Sequence, residues 1–254
     1  MLYGADGLEL VEREMNKEKL KQAFRDRLRP IVLSLDRAGF TPLSISVIGL
    51  VICLFSGLIV AEGYLFLGAL VFLLGSVFDL LDGDLARLQK KVSRRGAFLD
   101  SCFDRLGEAG LFAGLTWYYM EVLFPARPWA VLFIFATLVG SLTTSYVRAR
   151  AEGVGTTCYV GLMQRPERIA LLGLGMLLGS WILEIVLAFL AVVTLATTVQ
   201  RLLHVARKLP GADDSSAVAA SSGAAAAETG GTPLTEPFVP AQPSPADPDE
   251  GATP

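Results

Sequence analysis

Long apolar stretches separated by short polar ones cover most of this chain, and they predict membrane-spanning helices. Each stretch approaches the roughly 20 residues that an α-helix needs to cross the hydrocarbon core of a bilayer. The stretches are residues 43–61, 64–81, 97–120, 128–146, 169–183 and 184–203. The first two stretches are separated only by the short link Glu62-Gly63, and the last two by a turn near Gly179-Ser180. We expect an all-α integral membrane protein with six transmembrane helices.

The composition excludes a soluble globular protein. Hydrophobic residues make up 52% of the 254 residues, and the mean hydropathy is +0.51. A soluble core of this size requires far less apolar material. Membrane lipids are therefore expected partners, and no nucleic-acid partner is expected.

The basic residues predict how the helices are oriented. Of the 22 Lys and Arg residues, only Arg127 falls on the side opposite the termini when the chain is threaded through six spans. Loops rich in Lys and Arg stay in the cytoplasm. Both termini of this multi-pass protein of the cell membrane are thus predicted to be cytoplasmic, together with the polar ends of the second and third spans.

The N-terminal segment, residues 1–38, is predicted to contain an amphipathic helix beside the membrane. Five apolar residues recur at helical spacing beneath a face rich in Lys and Arg: Leu20, Phe24, Leu28, Ile31 and Leu35. This pattern is typical of an interfacial helix on an anionic leaflet. The alternative is a helix packed against the rest of the protein, and in either case Pro30 predicts a break or kink.

The last part of the chain, residues 209–254, has a different composition. It is rich in Ala, Pro, Ser and Thr, and from Pro210 onward it has seven acidic residues and no Lys or Arg. Such a segment buries too little apolar surface to offset the entropy of ordering, so we expect a disordered tail. The overall charge of -3 includes the acidic residues of this tail, whereas the membrane part of the chain is basic.

Four aspartates lie at the predicted cytoplasmic ends of the second and third spans. An ionised carboxylate inside a hydrophobic bundle is costly unless it pairs, meets water or binds a metal. Their spacing places Asp79 and Asp82 on one helical stripe, and it places Asp100 and Asp104 on one face of the next helix. A chain reversal between the two helices would bring both acidic faces together.

Converging carboxylates repel one another unless cations intervene. Hard oxygen ligands select Mg²⁺ or Mn²⁺, and we interpret the four aspartates as a site for two such ions. Two ions suit phosphoryl chemistry because they neutralise and orient a diphosphate. On the first stripe, Gly83 and Ala86 leave room for a bulky group, and Arg87 supplies charge-assisted hydrogen bonds to phosphate.

The spacing D-x2-D-G-x2-A-R-x8-G-x3-D-x3-D is complete between Asp79 and Asp104. It resembles the motif of the CDP-alcohol phosphotransferases, and the resemblance extends over roughly residues 28–208. It implies that residues 39–208 form a six-helix domain, which transfers a phosphatidyl-type group from a CDP-lipid to an alcohol and releases CMP. The resemblance also implies a homodimer.

The resemblance implies roles for individual residues. Asp79 and Asp100 would touch both metal ions, Asp82 the first and Asp104 the second. Asp104 would also be the general base that takes the proton from the acceptor hydroxyl, which attacks the lipid-side phosphorus. The CDP-lipid, CDP-diacylglycerol or a relative of it, would contact six residues: Pro42, Ser46, Gly83, Ala86, Arg87 and Ser93.

The loop at residues 145–169 resembles that of the subgroup whose acceptor is inositol 1-phosphate. In that subgroup, basic residues of the loop hold the phosphate of the acceptor. The matching candidates are Arg148, Arg168, Arg150 and Arg165. The resemblance thus implies a phosphorylated polyol as acceptor, with glycerol 3-phosphate or another alcohol as the alternative, while Arg148 and Arg150 also fit the role of topological anchors.

Two other classes of membrane protein also place acidic residues between helices. A transporter would show internal repeats or broken helices, and a membrane prenyltransferase would carry Asp-rich motifs far apart in sequence. Neither pattern is evident, although both classes are retained as distant alternatives.

Two further features of the third predicted span have more than one interpretation. Glu108, one turn beyond Asp104, is interpreted either as a partner of Arg105 or as a contact of the acceptor. The spacing of Gly110 and Gly114, repeated by Gly175 and Gly179, permits close helix packing and dimerisation.

Overall fold

A computed structural model describes residues 27–158 and 160–209 of the chain. Every regular element within these residues is helical, which confirms the predicted all-α class for this part of the chain. Contacts divide the chain into two units, Met1–Ala206 and Arg207–Pro254. The predicted disordered tail and the N-terminal residues Leu20 and Phe24 lie outside the described residues.

The helices follow one another along the chain with short connections. The first, α1, is described for residues 27–37. Helices α2 to α7 are Pro42–Ala61, Leu65–Leu88, Arg94–Trp117, Pro128–Gly153, Arg165–Leu178 and Ser180–Lys208. A π-helical turn, Tyr118–Val122, extends α4.

The predicted links between neighbouring spans are where the helices end. Glu62 caps α2, and Gly63 has a φ of +95°, a conformation that glycine adopts without strain. Gly179, with a φ of +104°, separates α6 from α7. The last two predicted stretches therefore divide at Gly179 and not after residue 183, because the apolar residues 180–183 already belong to α7.

Side-chain caps fix the starts of two helices at one end of the bundle. Thr41 and Ser44 form a capping box at the start of α2, and Pro42 occupies the first turn. Ser93 caps α4, because its Oγ accepts a hydrogen bond from the backbone N–H of Gly96 at 3.1 Å. These starts meet the final turns of α3, where the first two aspartates lie.

Four helices among the described residues are long and apolar enough to cross a membrane, namely α2, α3, α5 and α7. Helix α6 has 14 residues, fewer than a full span needs. Helix α4 is long enough but carries Asp100, Asp104, Arg105 and Glu108. The chain is thus a helical membrane protein, in which length and hydropathy identify four of the six predicted spans.

Glycines bring α2 and α4 into close contact. A Cβ on Gly114 would collide with the carbonyl oxygen of Gly57, and a Cβ on Gly57 would collide with that of Gly110. Small residues of this kind let helix backbones approach within membranes, where dispersion forces drive helix association. The close packing predicted for Gly110 and Gly114 is confirmed, and it lies within one protomer.

The described part of α1 packs against α2 and α3. Leu28, Val32 and Leu35 contact an apolar cluster that includes Ile45 of α2 and Leu85 of α3. These contacts fit the alternative prediction of a helix packed on the protein, and the position of the helix on a membrane surface stays a prediction. Residues 27–37 are helical without interruption, so the predicted break at Pro30 is not found in the described part of the segment.

At the end of the bundle opposite the aspartates, Arg127 is buried by residues of α5 and α7. It forms an ion pair with Glu184, whose carboxylate also accepts a hydrogen bond from Trp129 Nε1 at 3.3 Å. The guanidinium lies 4.0 Å from the centre of the Trp181 ring. The single basic residue predicted on this side is therefore neutralised and packed.

Candidate active site

Three of the predicted metal ligands form one cluster between α3 and α4. Carboxylate oxygens of Asp79, Asp82 and Asp100 all lie within 4.8 Å of one another. Asp79 and Asp82 come from the second half of α3, and Asp100 comes from the beginning of α4. The chain reversal between the helices thus brings the two acidic faces together as predicted. Three hard oxygen donors at this spacing fit a divalent metal ion.

Asp104 lies beside this cluster and is paired with two arginines. Its Oδ1 accepts from Arg165 Nη2 at 2.8 Å, and its Oδ2 accepts from Arg105 Nη1 at 3.3 Å. Arg165 also contacts Asp79, and Asp79 and Asp104 line the same narrow cavity. The fourth predicted ligand is therefore part of the same acidic site.

Arg165 reaches into the acidic site from the start of α6. Besides its contact with Asp104, it donates from Nη1 to Asp79 Oδ2 at 2.8 Å. Its guanidinium thus bridges an acid of α3 and an acid of α4, and it supplies positive charge that the carboxylates need. The sequence predicted Arg165 as an acceptor contact, and in this structure its contacts are with predicted metal ligands instead.

A cavity of about 390 Å³ opens beside the acidic cluster. All six residues predicted to bind a CDP-lipid line it, together with two of the aspartates: Pro42, Ser46, Gly83, Ala86, Arg87, Ser93, Asp82 and Asp100. Lys91 and Arg95 also line it, which was not predicted. Lys91 lies between α3 and α4, and Arg95 lies in the first turn of α4; the sequence analysis used both charges only for topology.

Gly83 keeps the cavity open next to Asp82. A Cβ at this position would meet no protein atom closer than the Arg87 guanidinium at 3.6 Å. Protein packing therefore does not require a glycine here, although glycine within a helix costs roughly 0.5–1 kcal/mol relative to alanine. The missing side chain leaves space that belongs to the cavity.

Three of the polar residues that line the cavity have partners in the protein. Ser46 Oγ donates to the carboxylate of Asp82, and Ser93 caps α4. Arg87, with a half-exposed side chain, donates from Nη2 to Asp84 Oδ1 at 2.5 Å. The cavity wall is thus polar and positioned by hydrogen bonds on the side that faces the aspartates.

The structure does not gather the four predicted acceptor arginines into one group. Arg168 is buried against Glu108, to which it donates from Nε at 3.0 Å and from Nη2 at 3.2 Å. Arg148 is exposed near the end of α5 and pairs with Glu152 at 3.0 Å. Arg150 is exposed beside it and does not line the cavity.

The interpretation of Glu108 as a partner of Arg105 is wrong. Arg105 turns toward its own helix, where Nη1 donates to the backbone oxygen of Ser101 at 2.6 Å and to Asp104. Glu108 faces the bundle interior, where a buried carboxylate needs a buried cation, and Arg168 supplies it from α6. A pairing between helices that are distant in sequence cannot be read from spacing within one helix.

Arg201 joins this end of the bundle from α7 and was missed by the sequence analysis. Its Nε donates to the backbone oxygen of Val160 at 2.7 Å, and its Nη1 donates to that of Thr144 at 2.9 Å. It is close enough to Arg148 and Arg168 for their charges to repel its own. In the sequence, Arg201 is a basic residue near the end of the last span, and it was counted only as evidence for the orientation of the helices.

These observations define a class of protein: a helical membrane protein with an acidic site that fits a divalent metal ion, beside a cavity whose wall combines apolar and basic residues. A family model described as CDP-alcohol phosphatidyltransferase matches residues 40–200. The chain belongs to the CDP-alcohol phosphatidyltransferase family and is a transferase. The resemblance in the motif between Asp79 and Asp104 is thereby confirmed, and nothing in this match supports a transporter or a prenyltransferase.

Curated relatives align along most of the chain. A phosphatidylinositol phosphate synthase of Mycobacteroides abscessus is 35% identical over 204 residues, which cover 76% of this chain and 90% of the relative. An archaetidylinositol phosphate synthase of Pyrococcus horikoshii is 33% identical over 195 residues, which cover 75% of this chain and 97% of the relative.

Solved structures of a Mycobacterium tuberculosis phosphatidylinositol phosphate synthase share the fold. One, with CDP-DAG bound, has a TM-score of 0.64 and 33% identity, and the match covers 69% of this chain and 92% of that one. Another, in complex with manganese and citrate, has a TM-score of 0.64 and 34% identity. This match covers 69% of this chain and 87% of that one.

Proposed function

We propose that this enzyme transfers the phosphatidyl group of a CDP-lipid, such as CDP-diacylglycerol, to a phosphorylated polyol, and that it releases CMP. The observation that carries the proposal is the arrangement at one end of the bundle. A cavity lined by six of the eight motif residues opens beside the acidic cluster, and Arg165 of α6 contacts the other two, Asp79 and Asp104. The substrates named for the relatives and the bound CDP-DAG in a structural neighbour support the same reaction.

The donor is proposed to occupy the cavity next to Asp82 and Gly83. Lys91, Arg95 and Arg87 would attract its diphosphate, and the open space over Gly83 would let the ligand approach the α3 backbone. Ser46 and Pro42 lie at the start of α2, on the same cavity wall.

The four aspartates are proposed to hold two divalent ions, Mg²⁺ or Mn²⁺. The spacing of three of them fits one ion, and Asp104 adds a further carboxylate that lines the same cavity as Asp79 and Asp100. Such ions, when bound, neutralise a diphosphate and stabilise the charge that develops on the leaving phosphate. A manganese complex of a structural neighbour supports a divalent metal in this family.

Asp104 is proposed as the general base. It would take the proton from the acceptor hydroxyl, whose oxygen then forms a bond to the lipid-side phosphorus while the bridging P–O bond breaks and CMP leaves. Arg165 contacts Asp104 directly and would hold its carboxylate in a fixed orientation toward the acceptor.

The acceptor is proposed to carry a phosphate of its own, with inositol 1-phosphate favoured over glycerol 3-phosphate. Buried Arg168 pairs with Glu108, which lines the same narrow cavity as Asp104 and Arg165, and the charge of Arg201 interacts with those of Arg168 and Arg148. Arg150 would contribute to the same field from the surface. The names of the relatives support inositol phosphate as the acceptor.

The membrane arrangement is proposed to follow the same pattern. Six transmembrane helices, α2 to α7, would place the active site and both termini at the cytoplasmic face, with the N-terminal helix beside the membrane surface. A homodimer is proposed on the strength of the family resemblance. The Lys and Arg residues concentrated at the aspartate end support the orientation.

The proposal is tested by CMP release from the purified protein in detergent with CDP-diacylglycerol and Mg²⁺. Inositol 1-phosphate, glycerol 3-phosphate and free inositol are supplied in parallel. Release with inositol 1-phosphate alone is expected. Release with free inositol alone would overturn the proposed class of acceptor, and no release with any alcohol would overturn the proposed reaction.

A further inference from the structure

Glu108 is buried between three helices and is fully engaged there. The side chains of Glu108 and Arg168 are each 5% exposed, and they form the bidentate pair described above. Ser141 Oγ, from α5, donates to Glu108 Oε2 at 2.9 Å. A buried ion pair is tolerated only when further bonds satisfy its charges. The three contacts together hold both side chains in one orientation.

This ion pair is adjacent to the acidic site. Glu108 lies one helical turn beyond Asp104 on α4. It also lines a narrow cavity of about 30 Å³ that Asp79, Asp100, Asp104 and Arg165 line as well. Glu108 therefore belongs to the wall of the site, and Arg168 lies directly behind it as its ion-pair partner.

Glu108 binds only one edge of the Arg168 guanidinium. That edge consists of Nε and Nη2, so three of the five N–H groups of the side chain remain on the other edge. Two parallel N–H groups match two oxygens of a phosphate. The charge of Arg201 interacts with those of Arg168 and Arg148, which makes the surroundings of Arg201 favourable for an anion.

We propose that Glu108 is a positioning residue for the acceptor: it fixes the plane of the Arg168 guanidinium so that its second edge receives the acceptor phosphate. The inference rests on the proposed function, because it assumes a phosphorylated acceptor. Glu108 acts through Arg168 and contacts neither the acceptor nor a metal. Without the charge of Glu108, the repulsion between Arg168 and Arg201 would be uncompensated, and Arg168 would lose its fixed orientation.

The test compares the Michaelis constants of the full-length protein for inositol 1-phosphate and for CDP-diacylglycerol. Glu108→Gln keeps the shape of the side chain and removes its charge. We expect the KM for the acceptor to rise about tenfold or more, as is typical when an orienting partner is lost. The KM for CDP-diacylglycerol is expected to change less than about twofold, because donor binding does not involve Arg168. Equal changes in both constants, or an unchanged acceptor KM, would overturn the proposal.

A second buried ion pair provides a matched control. Glu184→Gln weakens the pair with Arg127, which is buried to a similar degree but lies at the opposite end of the bundle. This variant is expected to lower Tm and to leave both Michaelis constants unchanged. A selective rise in acceptor KM in this control as well would show that the effect comes from general destabilisation, and would overturn the positioning role.

Ser141→Ala keeps the proposal testable if Glu108→Gln does not fold. It removes one hydrogen bond to Glu108 and leaves the ion pair in place. A smaller rise, confined to the acceptor KM, supports the proposal, and a change in neither or in both constants overturns it. Failure of the proposed function itself is distinguishable, because the wild-type protein would then release no CMP with any phosphorylated acceptor.

Discussion

At the scale of single residues, Arg165 decides the electrostatics of the acidic site. Its guanidinium contacts Asp79 and Asp104 at 2.8 Å each, and it is the arginine that bridges acids of two helices in the described part of the chain. Its Nε is buried without a hydrogen-bond partner there. The contacts with the acids therefore hold Arg165 in a position that its own burial disfavours.

Removing the charge of Arg165 should destabilise the metal-free protein more than the metal-loaded protein. Arg165→Gln leaves the carboxylates without their bridging cation, at a cost of about 2 kcal/mol after allowance for partial exposure. A bound divalent ion compensates the same carboxylates, so the loss should shrink when Mn²⁺ is present. The measurement is Tm in detergent, once with EDTA and once with saturating Mn²⁺.

Arg105→Gln is the control for this prediction. Arg105 also contacts Asp104, but at 3.3 Å and with a side chain that is 33% exposed. It should lower Tm less than Arg165→Gln, with little dependence on metal. An equal loss for Arg165→Gln in EDTA and in Mn²⁺ would contradict the assignment of Arg165 as a counterion of the metal ligands.

Gly83 should be required by the ligand and not by the fold. Gly83→Val adds a side chain where the nearest protein atom lies 3.6 Å from the new Cβ, so the free energy of unfolding should stay within about 1 kcal/mol of wild type. The same side chain would occupy the cavity and should raise the KM for CDP-diacylglycerol about tenfold or more. A stable variant with an unchanged donor KM would show that the ligand does not approach α3 at this position.

The sequence predicts single residues well where one helix or one reversal determines their position. The periodicity of α3 and α4 was enough to bring Asp79, Asp82 and Asp100 together and to place Gly83 on the same wall. It was not enough for Arg165, Arg168 and Arg201, because their partners lie on other helices. Which carboxylate each arginine meets depends on helix packing, and spacing along the chain does not contain that information.

At the scale of elements, the contact between α2 and α4 sets how the acidic helices are held. Gly57, Gly110 and Gly114 allow the two backbones to touch. The contact positions α4, and with it Asp100 and Asp104, relative to the start of α2, where Ser46 binds Asp82. Helix packing in the membrane part is thus directly connected to the geometry of the site.

Gly114→Ala should separate α2 from α4 and reduce stability. The new methyl group would collide with the carbonyl oxygen of Gly57, and overpacking of this kind costs about 1–3 kcal/mol. The measurement is unfolding in detergent, monitored by Tm.

Gly153→Ala is the matched control at the end of α5. A Cβ there has no neighbour within 4 Å, so the change should be neutral or slightly stabilising. An equal Tm for the two variants would contradict the close contact between α2 and α4.

The ends of these elements were predictable where local chemistry marks them. The link after Ala61 and the turn at Gly179 follow from polar or flexible residues between apolar stretches. The hydropathy pattern placed the boundary between the last two stretches after residue 183, because the residues after Gly179 are as hydrophobic as those before it. Backbone conformation, which hydropathy does not report, decides where α7 begins.

At the scale of the whole molecule, the two ends of the bundle have different tasks. One end carries the aspartates, the cavity and the arginines that reach them. The other carries the neutralised pair of Arg127 and Glu184, packed against Trp181. Helix α5, which begins beside Arg127, has 26 residues and is about 39 Å long. Charged residues are thus concentrated at the aspartate end, and the ion pair at the other end is buried. This arrangement is expected of a membrane enzyme whose substrates approach from a single side.

The central claim is that a phosphatidyl group moves from a CDP-lipid to a phosphorylated polyol. The most direct measurement is the mass of the lipid product formed by the purified protein from CDP-diacylglycerol and inositol 1-phosphate with Mg²⁺. We predict a phosphatidylinositol lipid that retains the phosphate monoester of the acceptor, formed in equal amount with CMP. CMP release without this lipid, with phosphatidic acid as the only new lipid, would identify hydrolysis and contradict the transfer.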